Sequence, residues 1–234
     1  MSNHPPILIA RLKKQVVLLS GGMDSTTLLA LALTRGPVLG ALSVNYGQRH
    51  AVELEAAKDV AAFYGVPHFI LDLTSWGSLL TGSALTDPSV EVPEGHYAAP
   101  SMAVTVVPNR NATMLMAAAG VAESLGAEVV LTAVHNGDHH VYPDCRPEFI
   151  AAASLAANLG TGGAVSIDAP FVNVSKTDIA KLGHDLGAPL HLSWSCYKGG
   201  TRHCGACGTC VERREAFTDS GVTDPTIYLT GATA

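Results

Sequence analysis

The chain is short of charge. Asp, Glu, Lys and Arg make up 15% of its 234 residues against 47% hydrophobic, which excludes a disordered tail. Lys and Arg number 14 against 20 acids, a formal charge of −6, so composition offers no broad basic face for duplex nucleic acid. No apolar run reaches the roughly 18 uninterrupted residues that a membrane helix needs. The start, Met1 to Arg11, lacks a basic n-region before its short apolar segment, which argues against a signal peptide. Internal repeats and low-complexity tracts are absent. So are the Walker spacing G-x-x-x-x-G-K-[ST] and the G-x-G-x-x-G fingerprint. What is left is length enough for one α/β domain with a sizeable core, expected to be soluble and cytoplasmic.

Against that background one stretch stands out, Ser20-Gly21-Gly22-Met23-Asp24-Ser25. It follows Val16-Val17-Leu18-Leu19, which reads as a buried strand, and precedes a Leu/Ala-rich run from Thr26 to Leu33, which reads as a helix. Two glycines let backbone amides converge, two hydroxyls add donors, and a helix N-terminus contributes a positive partial charge. The plain reading is a tight strand-to-helix turn capped by Ser25 or Asp24. The fuller reading is a site for a phosphate chain. As a string, the six residues resemble the SGG-x-D-S pyrophosphate loop of the ATP pyrophosphatases, which adenylate a substrate oxygen and release pyrophosphate.

Along the chain, residues 1–14 read as a leader and residues 15–189 as a nucleotide-binding domain. Strands are expected at Val16–Leu19, Val38–Tyr46, His68–Leu73, Glu128–Ala133 and Val165–Pro170. Helices are expected from about Ser25 to Thr34, Arg49 to Tyr64, Asn109 to Gly126, Pro147 to Leu159, and from the capping box Ser175-Lys176-Thr177-Asp178 to Leu186. In the second helix Val52, Ala56, Val60 and Phe63 fall on one face. Residues 74–108 break the alternation and read as a lid or substrate-binding excursion. Repeated strand–helix units predict a parallel, doubly wound, Rossmann-like α/β sheet. Ligands of such sheets gather at the carboxyl ends of the strands, here Ser20, Asn45-Tyr46, Asp72 and the loop after Ala133.

Four of the five cysteines crowd together as Cys196, Cys204, Cys207 and Cys210, C-x7-C-x2-C-x2-C. Four thiolates at this spacing make a closed tetrahedral zinc site, with an iron–sulfur cluster as the competitor. Residues 190–234 are therefore expected to form a zinc-binding C-terminal region, a coil-rich end in which metal binding supplies folding energy for residues 190–215. Cys145 lies apart, in the polar loop His135–Arg146. Arg202 and His203 beside the cysteines are weak evidence for a zinc knuckle that binds nucleic acid.

These motifs together resemble the 7-cyano-7-deazaguanine synthases, from about Val16 to Phe217. The resemblance is carried by Leu19–Ser25, Tyr46-Gly47-Gln48-Arg49-His50, Gly82–Thr86, Val107–Asn111, Tyr142–Phe149, Ser193–Gly200 and His203–Arg213. It implies an adenine nucleotide alpha hydrolase-like fold, a homodimer, ATP and Mg²⁺ as cofactors, a structural Zn²⁺ on the four cysteines, and no role for nucleic acid. It also implies conversion of 7-carboxy-7-deazaguanine and ammonia to the nitrile. ATP is expected along Leu18, Leu19, Ser20, Gly21, Gly22, Met23, Asp24, Ser25 and Thr26, with Asp24 fixing the loop or the Mg²⁺ and Asn45 and Tyr46 meeting adenosine. For the deazapurine, Arg110 or Arg146 would neutralise the carboxylate and Asp138 or Asp144 would accept from the guanine-like edge. Asn111 and Lys198 complete the expected substrate and catalytic set. The loop His135, Gly137, His139, His140 departs from the family pattern and reads as a polar rim or a second metal site. Asn109 stands where glycine is common. A relative that stops at the amide, a tRNA-thiolating or lysidine-forming enzyme, and a non-catalytic zinc module for nucleic acid are the alternatives.

Overall fold

The computed structural model describes residues 12–49, 52–87, 89–96 and 100–229. Most of the expected leader, His50 and the last five residues therefore lie outside the described part. Five parallel strands form one sheet: β1 (Gln15–Leu18), β2 (Val38–Asn45), β3 (His68–Asp72), β4 (Val129–Leu131) and β5 (Ser166–Asp168), in the order β3-β2-β1-β4-β5. The helices are α1 (Met23–Arg35), α2 (Val52–Tyr64), the single turn α3 (Thr74–Gly77), α4 (Arg110–Leu125), α5 (Pro147–Gly160), α6 (Lys176–Asp185) and α7 (Gly208–Ser220).

The period-two alternation of a strand divides the core. Val16 and Leu18 face a layer built on α4 and α5, with Leu115, Ala118, Ile150 and Ala153. Val17 and Leu19 face Leu28 and Leu29 of α1, Ala57, Val60 and Ala61 of α2, and Ile179 of α6. With both faces covered, β4 and residues 16–18 of β1 are continuously apolar, and the buried Gln15 that opens β1 donates its amide to Ala32 O. α2 turns its alanines inward, so Ala57 and Ala61 are buried while Phe63, expected on the inner face, is 56% exposed. Small residues let this helix lie close to the sheet.

Beyond β5 the structure departs further from expectation. The C-terminal stretch is coil-rich from residue 193 to 207 and again from 221 to 229, but between them α7 runs 13 residues from its N-cap Cys207, a helix the sequence reading did not place. Its Ala216 and Phe217 pack with Met23 of α1, Ala180 of α6 and Leu190. The excursion 74–108 holds α3 and a 3-10 turn at Pro100–Thr105, and its Glu94 pairs as an isolated bridge with Cys207.

The order in which strands are added reverses between β1 and β4. Strands β2 and β3 lie on one side of β1, β4 and β5 on the other. The loops after β1 and β4 therefore diverge and leave a crevice at the carboxyl rim.

Asn109 enters α4 in the left-handed region, φ 52°, a conformation that explains the glycine common there in the family pattern. Asn109→Ala is expected to cost about 1 kcal/mol of stability and Asn109→Gly at most a few tenths. Paired denaturant melts check this; equal loss in both variants contradicts it.

Candidate active site at the sheet switch point

The crevice is lined by Leu18 to Ser20 and Gly22 to Ser25 from β1 and its loop, and by Thr132 to His135 after β4. Tyr46, Glu53, Arg110, Tyr142, Lys176 and Trp194 close its sides. The loop is held by its own hydroxyls. Ser20 N–H donates to Ser25 Oγ at 3.2 Å, Ser25 Oγ donates to Gly22 O at 3.1 Å, and the two hydroxyl oxygens lie 3.0 Å apart. Neither Ser25 nor Asp24 caps α1; Gly22 occupies that position. The amides of Met23, Asp24 and Ser25 open the helix and so have no carbonyl partner within it. Gly21, φ 85°, turns its backbone onto α2, where a Cβ would come within 2.3 Å of the Glu53 carbonyl. Gly21 and Thr26 shape the loop from behind, and Asn45 accepts from Gly47 N–H at the rim; none of the three lines the crevice.

A buried charge cluster sits at the foot of the loop. Lys176 Nζ lies 3.2 Å from Asp24 Oδ2 and 2.6 Å from Glu212 Oε2, and all three side chains are less than a quarter exposed. Burial presses the Asp24 carboxyl upward, but Lys176 and His135 outweigh it and hold the group below its ordinary range. Glu212 moves the other way because burial dominates there. One ammonium cannot fully compensate two carboxylates, and Asp24 takes the larger share. Asp24 Oδ1 stays buried without a partner. His135 is 2% exposed and no rim residue. Its Nδ1 accepts from Gly137 N–H, which assigns the proton to Nε2, facing Asp24 at 3.8 Å and Asp138 at 3.7 Å.

The second half of the crevice is aromatic. Arg110 Nη1 donates to Tyr46 Oη at 3.3 Å, and the guanidinium lies 5.6 Å from the Tyr46 ring centre and 5.9 Å from that of Tyr142. Arg110 Nε is buried without a partner. Asn111 also lines the crevice and donates to Asp144 O and Cys145 Sγ. Asp144 itself accepts from the Asn111 amide at the start of α4 and lies outside the lining. Arg146 is exposed and donates to His139 O, and Lys198 pairs with Glu94; neither reaches the crevice.

Cys196, Cys204, Cys207 and Cys210 come together with every sulfur within 4.8 Å of the others, a group able to hold a metal ion. Cys204 Sγ and Cys210 Sγ are 3.9 Å apart, close to the ~3.8 Å edge of a tetrahedron with ~2.3 Å metal–sulfur bonds. Amides of Ala206 and Cys207 point at Cys204 Sγ, as thiolate ligands require. Among the described residues this is the sole group of three or more metal-ligating side chains so arranged, and the histidine loop forms none. His203 is buried against Trp194 and accepts from Ser195 N–H, so it offers no surface to a nucleic acid.

Sequence reasoning gave no site role to several crevice residues, among them Lys176, Glu53, Trp194 and His135. Lys176 was visible as part of a helix cap, and its position opposite the loop follows only from the packing of α6 on α1. Glu53 carried no motif of its own, and Trp194 lay within the stretch Ser193–Gly200 without an assigned role. His135 looked like one polar residue among several.

A family model described as "Queuosine biosynthesis protein QueC" matches residues 14–221. A protein of Brucella anthropi named 7-cyano-7-deazaguanine synthase is 53% identical over 217 residues, 92% of this chain and 93% of that one. Its namesake from Allorhizobium ampelinum is 54% identical over 217 residues, 92% of each. Among solved structures, the NMN synthetase of Francisella tularensis aligns with TM-score 0.49 and 17% identity, covering 92% of this chain and 74% of that one.

Burial lifts the Glu53 carboxyl to about 7, with Arg110 opposing. The native state then keeps a proton on Glu53 between pH 4.5 and 7 that the unfolded chain has lost, so this group makes stability fall as pH rises through that window. Glu53→Gln is expected to flatten that part of the stability–pH curve in urea melts. An unchanged slope contradicts the assignment.

Proposed function

The chain belongs to the family of queuosine biosynthesis protein QueC, and on that footing we propose that it is a 7-cyano-7-deazaguanine synthase, an ATP-dependent carbon–nitrogen ligase. The observation that carries this is one crevice with two halves: an amide-rich loop fit for phosphates, and an aromatic wall holding a buried guanidinium.

In this reading the loop from Ser20 to Ser25 takes the ATP phosphates. Its free helix amides and hydroxyls meet the anionic oxygens, and the Lys176 ammonium at the foot of the loop adds positive charge where charge develops at the α-phosphate. Asp24 Oδ1, buried and unpartnered, is the oxygen we assign to Mg²⁺, which would screen the phosphate charge. Tyr46 lies at the end of β2, within reach of adenosine. Arg110 takes the carboxylate of 7-carboxy-7-deazaguanine, and its desolvated site strengthens that contact. The carboxylate oxygen attacks the α-phosphate and pyrophosphate leaves. Ammonia then attacks the mixed anhydride, AMP leaves, and the amide forms. A second activation at the amide oxygen followed by loss of AMP gives the nitrile. No protein nucleophile takes part; positioning and charge do the work.

The cysteine group is proposed to hold structural Zn²⁺, with four protein ligands and no open position. A homodimer in the cytoplasm, acting on small molecules rather than on nucleic acid, completes the proposal. Among the described residues no helix is long and apolar enough to cross a membrane.

Purified protein incubated with the acid, ATP, Mg²⁺ and ammonium is expected to yield a product lighter than the amide by one water, with two AMP released per nitrile. Accumulation of the amide with one AMP would move the protein to an amide-forming relative. Absence of ATP-dependent turnover overturns the proposal.

A further inference from the structure

Glu53 is an acid in the crevice that the proposed reaction does not use. It stands in the first turn of α2 and lines the same cavity as Arg110, Tyr46, Tyr142 and Tyr197. Its backbone is fixed, because the Glu53 carbonyl lies against Gly21 in the phosphate loop. Among the described residues its carboxylate makes no hydrogen bond and no ion pair within 4 Å. The other acids are engaged. Asp24 is paired with Lys176, Asp138 accepts from His135 N–H, and Asp144 is turned onto the Asn111 amide. Glu53 is partly exposed to the crevice, so its carboxylate is free to meet a ligand there, and a ligand that brings donors supplies the hydrogen bonds the protein does not.

The chemistry of a 7-carboxy-7-deazaguanine matches this pair of groups. Its oxo oxygen and its carboxylate are neighbours and accept hydrogen bonds. Next to the oxo group, the ring N–H and the exocyclic amino group present two parallel donors, spaced as the two oxygens of a carboxylate are. An acid beside a cation on an aromatic wall reads that sequence of acceptors and donors in order. An adenine-like edge would set an amino donor against the guanidinium and is rejected.

We propose that Glu53 determines specificity for the guanine-like edge, its carboxylate accepting from the ring N–H and the 2-amino group while Arg110 takes the neighbouring oxygens. This rests on the deazaguanine reading above, and it moves the role expected of Asp138 or Asp144 to Glu53.

The test compares the acid with its 2-desamino analogue, a deazahypoxanthine, on the wild-type protein and on Glu53→Gln. In the wild type, loss of the 2-amino group is expected to raise KM about 10- to 100-fold with little change in kcat. In Glu53→Gln, KM for the parent acid is expected to rise by a similar factor, and the two substrates should differ by no more than about threefold. ATP affinity should not change. Equal KM values in the wild type overturn the proposal, as does a variant that keeps the full discrimination. If Glu53→Gln does not fold, the wild-type comparison decides alone. If neither acid is turned over, the deazaguanine reading fails, and calorimetry with 7-deazaguanine and 7-deazahypoxanthine still decides the role of Glu53. A preference of about tenfold or more for the former supports it, and equal affinity overturns it.

Discussion

A single ammonium ties the two ends of the chain to one another. Lys176 opens α6, yet its charge lies between Asp24 at the start of α1 and Glu212 in α7. Withdrawing one partner from such a buried set leaves an uncompensated charge and costs about 3–5 kcal/mol, far more than an exposed ion pair contributes. The geometry of the loop thus depends on residues almost two hundred positions away. A second tie runs beside it: Trp194 N–H donates to Gly21 O at 2.8 Å. Trp194 stands two residues before Cys196, and Glu212 stands two residues after Cys210. The cysteine group sits between these two ties and closes the segment that makes both.

This arrangement gives the cysteines a task beyond holding their own turns. Arg213, fully buried in α7, extends the clamp by donating to Ser193 Oγ, Ser195 Oγ and Leu190 O and pairing with Asp224. Helix α7, the stretch 190–196 and the loop after β1 are therefore one packed unit. The crevice they bound has two electrostatic characters. Around Asp24, Lys176 and Glu212 charges are paired, while around Arg110 a cation stands among tyrosine rings with an acid close by. Two different polar ligands can lie side by side there without competing for the same groups.

Much of this was legible in the sequence because local rules and tertiary demand agree. The strands expected at Val16–Leu19 and Glu128–Ala133 sit at β1 and β4, the helix expected from Pro147 begins there, and the C-x2-C-x2-C spacing brings its sulfurs together. Misplacements arose where tertiary context decides. Helix α7 has a charged face read as coil, and only the pairing of Glu212 and Arg213 with distant partners makes those charges compatible with burial. Arg146 and Lys198 look like substrate-binding cations in sequence, but their chain segments turn them outward. Lys176 and Glu53 enter the crevice through packing of α6 and α2 against the loop, which no local pattern records.

Hydrogen exchange on the protein before and after treatment with a metal chelator tests the clamp most directly. The account predicts that residues 20–25 lose protection together with residues 204–212, because both ties to the loop are anchored in the cysteine segment. Loss of protection at residues 204–212 with the loop unchanged, or no change in either stretch, would contradict it.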